Sequence, residues 1–384
     1  MAETTTHNCA VCGANDWLEL PTPGKQSITT AGKIVPDALG KGCCNSCGVV
    51  QKVFRPRLGE TDFYEKEYTY YDRPGASSRD QIRYQTLAKW VAEAIEGRSP
   101  KSIFDIGCGQ GNTLEYLKEH FPNATLGGLE PYEGAVKIAN DNGLNVLEGR
   151  IDNIKVDEKF DLVFSNNVIQ HVLDPIAFLQ AQKALLAEDG DLVLTCPDGT
   201  LPNVELLMAD QNISLRPVHL EALAAKAGLR VVKTLPCPGG PLRNEQLVLL
   251  KPDDNVAAPS FANPEEIKES QTEITQYLDH WASLDDVLLS ATKGAKRIYN
   301  FGGGLWSYVL AAYCPSYWAK IEACVVDTFS GVCIDKEVRP FEKEGITADD
   351  VMVLGTNPYV QQQLVERFKK DGLRAVAFDH MIPH

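Results

Sequence analysis

From Lys101 to about Lys251 the chain alternates short apolar runs with amphipathic stretches: SIFDI, TLEYLKEHF, TLGGLE, EGAVKIAND, FDLVFS, FLQAQKALLA, DLVLT. That alternation predicts strands and helices in turn, the pattern of a parallel sheet wrapped by helices. LLAEDGDLVLT reads as a helix–turn–strand, and LRVVKT with QLVLLK as a closing strand pair. A helix precedes the block: Ser77 and Ser78 are candidate N-caps, Leu87, Val91, Ala94 and Ile95 recur at helical spacing, and Gly97 ends it. Residues 251–266 are rich in Pro, Ala and Asp and read as a linker. Beyond it, Ile267, Ile274, Leu278, Trp281 and Leu288 share one helix face, and KRIYNF, IEACVVD, DVMVLG and LRAVAF return as strands. Residues 1–75 show no sustained period and concentrate Cys, Gly, Pro and Tyr. The expected architecture is therefore α/β: a small N-terminal domain over 1–75, a Rossmann-like domain over 76–250, and a smaller Rossmann-like α/β domain over 267–384.

A chain of 384 residues supports several domains. The net charge of −15 argues against a nucleic-acid partner, because a broad phosphate-binding surface needs the opposite sign. MAETTTHNCAVCG has no apolar signal region, and no uninterrupted twenty-residue apolar span follows, so the expectation is a cytoplasmic protein with no membrane partner. Nothing in the pattern fixes an oligomeric state. Eleven cysteines in a long chain of this kind point to metal binding or burial rather than to a disulfide framework.

The most informative string is SIFDIGCGQGNTLEYL, residues 102–116. A hydrophobic strand ends in Asp105, then Gly107, Gly109 and Gly111 space a tight turn, and a helix begins. Glycine is needed where backbone turns sharply and must approach a ligand closely. Nineteen residues after Gly111 the next strand ends in Glu130, a carboxylate able to accept hydrogen bonds from both ribose hydroxyls of an adenosine. The same glycine spacing also occurs in NAD-binding folds. Separately, Cys9-Ala-Val-Cys12 and Cys44-Asn-Ser-Cys47 are two C-x2-C pairs, each followed by glycine, with Cys43 as a spare thiol. Two such turns supply four thiolates, the donor set of a structural zinc whose positions are all filled by protein.

The ensemble of strands, glycine turn and Glu130 resembles the class I S-adenosylmethionine-dependent methyltransferases. In that family the residue at Glu130 takes the ribose, the one at Ile151, in the Arg150–Ile151 pair, packs on the adenine, and Asn166–Asn167 follow the fourth strand beside the cofactor. A cysteine block, then this domain, then a small Rossmann-like block resembles more closely the three-domain sugar C-methyltransferases, which methylate nucleotide-linked ketosugars. The resemblance includes YEKEYTYYDRPG (64–75), similar to that family's Tyr-rich substrate segment, and KRIYNFGGGLWSYVL with Asp327 downstream. It implies S-adenosylmethionine as cofactor, structural zinc, and a nucleotide-linked sugar as the small-molecule partner, in natural-product or surface-glycan synthesis.

The chain departs from that family at the base. A Tyr-x-Glu-His run follows the fifth strand there; the matching positions here are Met208-Ala209-Asp210-Gln211, and no histidine lies between His171 and His219. A carbon acid needs a strong, positioned base, whereas a hydroxyl needs only partial deprotonation as the new bond forms, and an amine only to be bound uncharged. The acceptor atom, carbon, oxygen or nitrogen, stays open. His171 just past the fourth strand, Tyr70 and Asp210 are the candidate catalytic groups; Tyr68, Tyr71 and Gln211 are the candidate substrate contacts. Each also has a plain reading: His171 as a helix-start residue, the tyrosines as packing, Asp210 as a cap, His219 as serving its helix start. Gly302-Gly303-Gly304 with Asp327 loosely fits a dinucleotide pattern, although Leu305 and Trp306 stand where the resembling family has a lysine. Two alternatives follow: an NAD-linked sugar-modifying enzyme using that loop, against which the missing Tyr-x-x-x-Lys dyad argues, and a binding protein that kept the fold and lost the chemistry.

Overall fold

The computed structural model describes residues 7–68, 78–261, 263–327 and 330–378. The chain forms two compact units, each built from separated segments. The first comprises residues 1–18, 42–200 and 211–267, the second residues 19–41, 201–210 and 268–384.

The first unit holds a seven-stranded sheet. Its strands are β1 (Ser102–Ile106), β2 (Thr125–Glu130), β3 (Asn145–Glu148), β4 (Phe160–Asn166), β5 (Leu186–Pro197), β6 (Leu229–Leu235) and β7 (Glu245–Pro252). They lie in the order β6-β7-β5-β4-β1-β2-β3, with β1 to β5 parallel and β7 antiparallel to both β5 and β6. The helices are α1 (Ser78–Ala94), α2 (Asn112–His120), α3 (Glu133–Asp141), α4 (Pro175–Ala184) and α5 (Pro217–Lys226). Because the parallel strands are covered on both faces, they read as continuous apolar runs rather than alternating ones. Ile103, Leu162 and Val193 pack with Leu87, Trp90 and Val91 of α1, while Phe104, Val163 and Leu192 belong to a second cluster with Leu220 and Leu223 of α5.

One predicted element changes. The helix expected to run through LLA stops at Ala184, and β5 starts at Leu186 with an irregularity before Asp191, so AEDG is a bulged strand entry and not a turn. Two forces set this. A Cβ on Gly190 would lie 2.8 Å from the Phe160 carbonyl oxygen, which only glycine permits. Buried Asp191 is also held by Lys251 at 2.8 Å and Arg98 at 3.2 Å.

The second unit contains the long helix α6 (Pro264–Ala291), whose first four residues belong to unit one, followed by β8 (Ile298–Phe301), α7 (Leu305–Tyr313), β9 (Ala323–Val326), β10 (Gly331–Cys333), β11 (Lys336–Pro340), β12 (Val351–Val353), α8 (Pro358–Lys370) and β13 (Arg374–Val376). Its sheet runs β10-β11-β9-β8-β12-β13, parallel except for the β10 edge. Trp281, Leu278 and Leu288 of α6 are buried as the helical spacing predicts. The β10–β11 hairpin, GVCIDKEVRP, is too short and polar to announce itself as strands. No helix among the described residues is long and apolar enough to cross a membrane.

Gly302 in this unit has φ +140°, and a Cβ there would stand 2.1 Å from the Gly355 carbonyl oxygen. Gly304 has ordinary φ −124° and open space around it. Gly302→Ala should therefore destabilise the C-terminal unit by about 3 kcal/mol or more, and Gly304→Ala by less than about 1 kcal/mol, in denaturant unfolding. Equal effects would contradict this packing.

Candidate active site and cysteine centre

β1 delivers the chain into the glycine turn. Gly107, Gly109 and Gly111 have φ of +75°, +55° and +80°, the left-handed region that side chains resist. At Gly107 there is a second reason: a Cβ would lie 2.5 Å from Cγ2 of Val168, so the turn after β4 sits directly on the glycine loop. The Gly107 amide donates to Leu129 O at 2.7 Å, tying the loop to β2. Glu130, at the end of β2, is 4% exposed and accepts from the Gly109 amide at 2.9 Å and the Tyr132 amide at 3.0 Å. Burial raises its carboxyl to about 7, the two backbone donors pulling the other way. Asp105 is buried beside it; burial first, and Glu130 second, push its carboxyl well above the usual carboxylate range. Its Oδ1 has no hydrogen-bond partner among the described residues. Two buried carboxyls beside a glycine turn form a site that favours a ligand rich in hydrogen-bond donors.

Ile151, the residue expected on the adenine, is half-buried against the core beneath the sheet. Asn166 accepts from Thr195 Oγ1 at 2.7 Å, which orients its amide across β4 and β5.

Above β4, His171 lies among aromatic rings. Its Nδ1 is 3.2 Å from the Tyr64 hydroxyl, with ring centroids 5.6 Å from Tyr64 and 6.4 Å from Tyr68. Tyr64 opens the Tyr-rich tract, but sequence reasoning stressed Tyr68, Tyr70 and Tyr71 and passed it over. A helical step from Tyr64 to Tyr68 was the available signal, since residues four apart share a face. Tyr70 and Tyr71 lie outside the described residues. Arg150 reaches this same layer, with Nη1 3.3 Å from Gly59 O and 3.7 Å from Glu65. Asn212 donates its side-chain amide to His171 O at 2.6 Å and its backbone amide to Gln170 O at 2.8 Å. Gln211 is buried, and its Oε1 has no hydrogen-bond partner among the described residues. Asp210 belongs to the other unit, fully buried, and accepts from Thr30 N at 2.9 Å and Thr30 Oγ1 at 2.5 Å.

The four predicted cysteines converge. Their sulfurs all lie within 4.8 Å of one another, with Cys9–Cys47 at 3.5 Å and Cys12–Cys44 at 3.6 Å. Gly13 and Gly48, at φ +84° and +75°, close the two turns. Cys44 accepts from Cys47 and Cys9, which holds its thiol low; the same bonds push Cys47 up, and Cys9 to about 12. Helix α5 ties the cluster down: His219 Nδ1 accepts from the Arg216 amide at 3.2 Å, which leaves Nε2–H to donate to Cys47 O at 2.9 Å. Lys226 donates to Val11 O. Burial lowers the His219 pKa to about 4, so it serves as a neutral donor as well as the helix-start residue expected from sequence.

In the second unit the Gly302 loop closes on the chain after β12. Asn300 donates to Gly302 O at 3.0 Å and Ser307 Oγ at 2.9 Å, and Ser307 donates to Gly355 O at 2.9 Å. Asp327, the acid expected to take a ribose in a dinucleotide site, makes a two-pronged ion pair with Arg367 at 2.6 and 2.9 Å.

Residues 79–234 match the family model described as a methyltransferase domain. Over 155 residues the chain is 30% identical to the ubiquinone biosynthesis O-methyltransferase of Actinobacillus pleuropneumoniae serotype 5b (strain L20), covering 37% of this chain and 65% of that protein. It is 30% identical over 142 residues to the trans-aconitate 2-methyltransferase of Rhodopseudomonas palustris (strain BisA53), covering 36% and 54%. The chain thus spans between half and two thirds of the curated relatives it matches. Among solved structures, the CcbJ methyltransferase from Streptomyces caelestis aligns with a TM-score of 0.39 at 16% identity, over 50% of this chain and 99% of that one. The family match covers about two fifths of the chain, the stretch that holds the glycine turn, Glu130 and His171.

The Glu130 carboxyl gives a pH signature. Its folded value, about 7, exceeds the ordinary 4.5, so between these values the native state holds more protons than the unfolded one. Stability without ligand then falls as pH rises from about 4.5 to about 7. Glu130→Gln should flatten that part of the melting-temperature profile. An unchanged slope would contradict the burial-driven shift.

Proposed function

We propose that the protein is an S-adenosylmethionine-dependent methyltransferase, carried by one observation: Glu130 and Asp105 are buried at a left-handed glycine turn that leads into α2. Bound there, the cofactor supplies an electrophilic methyl group on a sulfonium. Gly107, Gly109 and Gly111 would let the backbone approach it, Glu130 would accept from its ribose, Asp105 would serve its amino-acid end, and Ile151 and Asn166 would complete the binding site. Methyl transfer is an in-line displacement, and much of its acceleration comes from holding the acceptor close and aligned. In this reading the acceptor meets the methyl group beside the His171–Tyr64 pair; for a hydroxyl acceptor, the oxygen–carbon bond forms as the methyl–sulfur bond of the sulfonium breaks, and the hydroxyl proton passes to His171. Tyr68, Tyr70, Tyr71 and Gln211 offer rings and amides for the acceptor.

The acceptor in this reading is a small molecule, a nucleotide-linked sugar, which rests on the order of the three sequence blocks and the Tyr-rich tract. Oxygen is the favoured atom. The Tyr-x-Glu-His base is replaced by Met208-Ala209-Asp210-Gln211, and the first relative named above is an O-methyltransferase.

Cys9, Cys12, Cys44 and Cys47 would hold a structural zinc. A tetrahedron with zinc–sulfur bonds of about 2.3 Å has sulfur–sulfur edges of about 3.8 Å, close to the 3.5 and 3.6 Å found here. With all four positions taken by protein, the metal would draw off the thiol protons and fix the turns without touching the reaction.

Calorimetry should show S-adenosylmethionine binding that weakens at least tenfold in Glu130→Ala. Absence of binding, or binding indifferent to both Glu130→Ala and Asp105→Ala, would overturn the assignment. Labelled methyl transfer to a panel of nucleotide sugars and ketosugars, with NMR locating the new methyl, decides the atom; a carbon product would show that another residue supplies the base. Elemental analysis should find one zinc per chain, lost in Cys9→Ser/Cys12→Ser, and a folded metal-free protein would refute the metal assignment.

A further inference from the structure

Three residues far apart in sequence meet at the carboxyl ends of β4 and β5, where open α/β sheets bind ligands. Asn167, the residue after β4, has φ +55°, an uncommon conformation for a non-glycine residue. Its amide nitrogen Nδ2 donates to Glu245 Oε1 at 3.0 Å, and its backbone amide donates to Thr195 O at 3.0 Å. Glu245, the first residue of β7, pairs with Pro197 and is 9% exposed. Arg83 of α1 donates to the same Oε1 at 2.9 Å and through Nη1 to Pro241 O at 3.0 Å. Among the described residues Glu245 Oε2 has no hydrogen-bond partner, and the bonds from Asn167 and Arg83 both end on Oε1.

The consequence of the Asn167 conformation is visible one residue later. Val168 is turned down onto Gly107, in the space that a Cβ there would need. The amide of His171 then closes the turn on Val168 O at 2.9 Å. The Arg83–Glu245 pair therefore acts on the cofactor loop and on His171 through a single backbone twist. A left-handed conformation is strained for a non-glycine residue and persists only where its surroundings over-determine it.

We propose that Glu245, backed by Arg83, is a positioning residue: its hydrogen bond to Asn167 locks the 166–171 turn against the glycine loop and so aligns His171 with the methyl donor. This rests on the methyltransferase reading above for its functional consequence, while its structural part stands by itself.

The test uses the full-length protein with Glu245→Ala, Glu245→Gln, Asn167→Ala and the Glu245→Ala/Asn167→Ala double variant. Glutamine keeps an oxygen acceptor for Asn167, so Glu245→Gln should retain turnover within about threefold, whereas Glu245→Ala should lower kcat at least tenfold. The S-adenosylmethionine Kd should stay within about threefold in both. The double variant should be no worse than the worse single one, because both remove the same contact. Hydrogen exchange gives a readout that needs no acceptor: the Asn167 and His171 amides should exchange at least tenfold faster in Glu245→Ala and keep their wild-type rate in Glu245→Gln, with β1 unaffected. Equal loss in the alanine and glutamine variants would make Glu245 a proton-transfer group and overturn the positioning role, as would unchanged exchange at 167–171 in Glu245→Ala. If Glu245→Ala fails to fold, Asn167→Ala carries the same exchange prediction with Glu245 and Arg83 left paired. Wild-type protein that binds no S-adenosylmethionine would sink the methyltransferase reading and leave the exchange result to judge the tie.

Discussion

The carboxyl end of the first unit's sheet depends on one close approach, that of Val168 to Gly107. Two chain segments, the glycine loop after β1 and the turn after β4, can touch only because no Cβ stands between them. That contact requires Gly107 to be left-handed and Asn167 to be left-handed as well, and each has its own anchor: Leu129 O for the first, Glu245 for the second. Two features follow from the contact. The carboxyls of Asp105 and Glu130 are buried beside the loop, Glu130 accepting from the Gly109 amide, and the His171 amide closes the turn on Val168 O.

The cysteine cluster plays a comparable part at a different edge of the same unit. Its turns are short of apolar residues of their own, yet Cys9, Val11, Cys44, Cys47 and Val49 share one buried cluster with Phe104 and Leu194 of the sheet. His219 and Lys226 then satisfy carbonyls in the two knuckles, Cys47 O and Val11 O, from a single helix face. The strand Val50–Lys52 leaving the second knuckle pairs with Ile213–Ser214, one residue beyond the Asn212 that holds His171 O. The knuckles are thus built into the unit rather than appended to it, which is why a histidine with no catalytic neighbour is buried there as a neutral donor.

The glycine loop of the second unit shows how the same sequence signal can have a different physical cause. Gly302 is required because Gly355 O occupies its side-chain space, and the loop's polar groups are engaged by Asn300 and Ser307. The downstream acid, Asp327, is paired with Arg367. A glycine demanded by a neighbouring backbone and a glycine demanded by a ligand look alike in sequence, since both report only that a Cβ cannot fit.

By itself the sequence determined the alternation of strands and helices, the glycine turn with Asp105 and Glu130, and the two cysteine knuckles, because each depends on local spacing: period two or 3.6, a tight turn, or a two-residue gap between thiols. It misplaced the helix–strand junction at Leu186, where the deciding forces are Phe160 O against Gly190 and the ion pairs of Asp191, both from distant chain. It passed over Tyr64 and contained no hint that Arg83, Glu245 and Asn167 meet, because their partners lie 78 and 162 residues apart. Nor did local spacing show that residues 19–41 and 201–210 belong with the C-terminal segment in one compact unit. Which groups are local is written in the chain order; which groups touch is decided only when the sheet closes and brings its strand ends together.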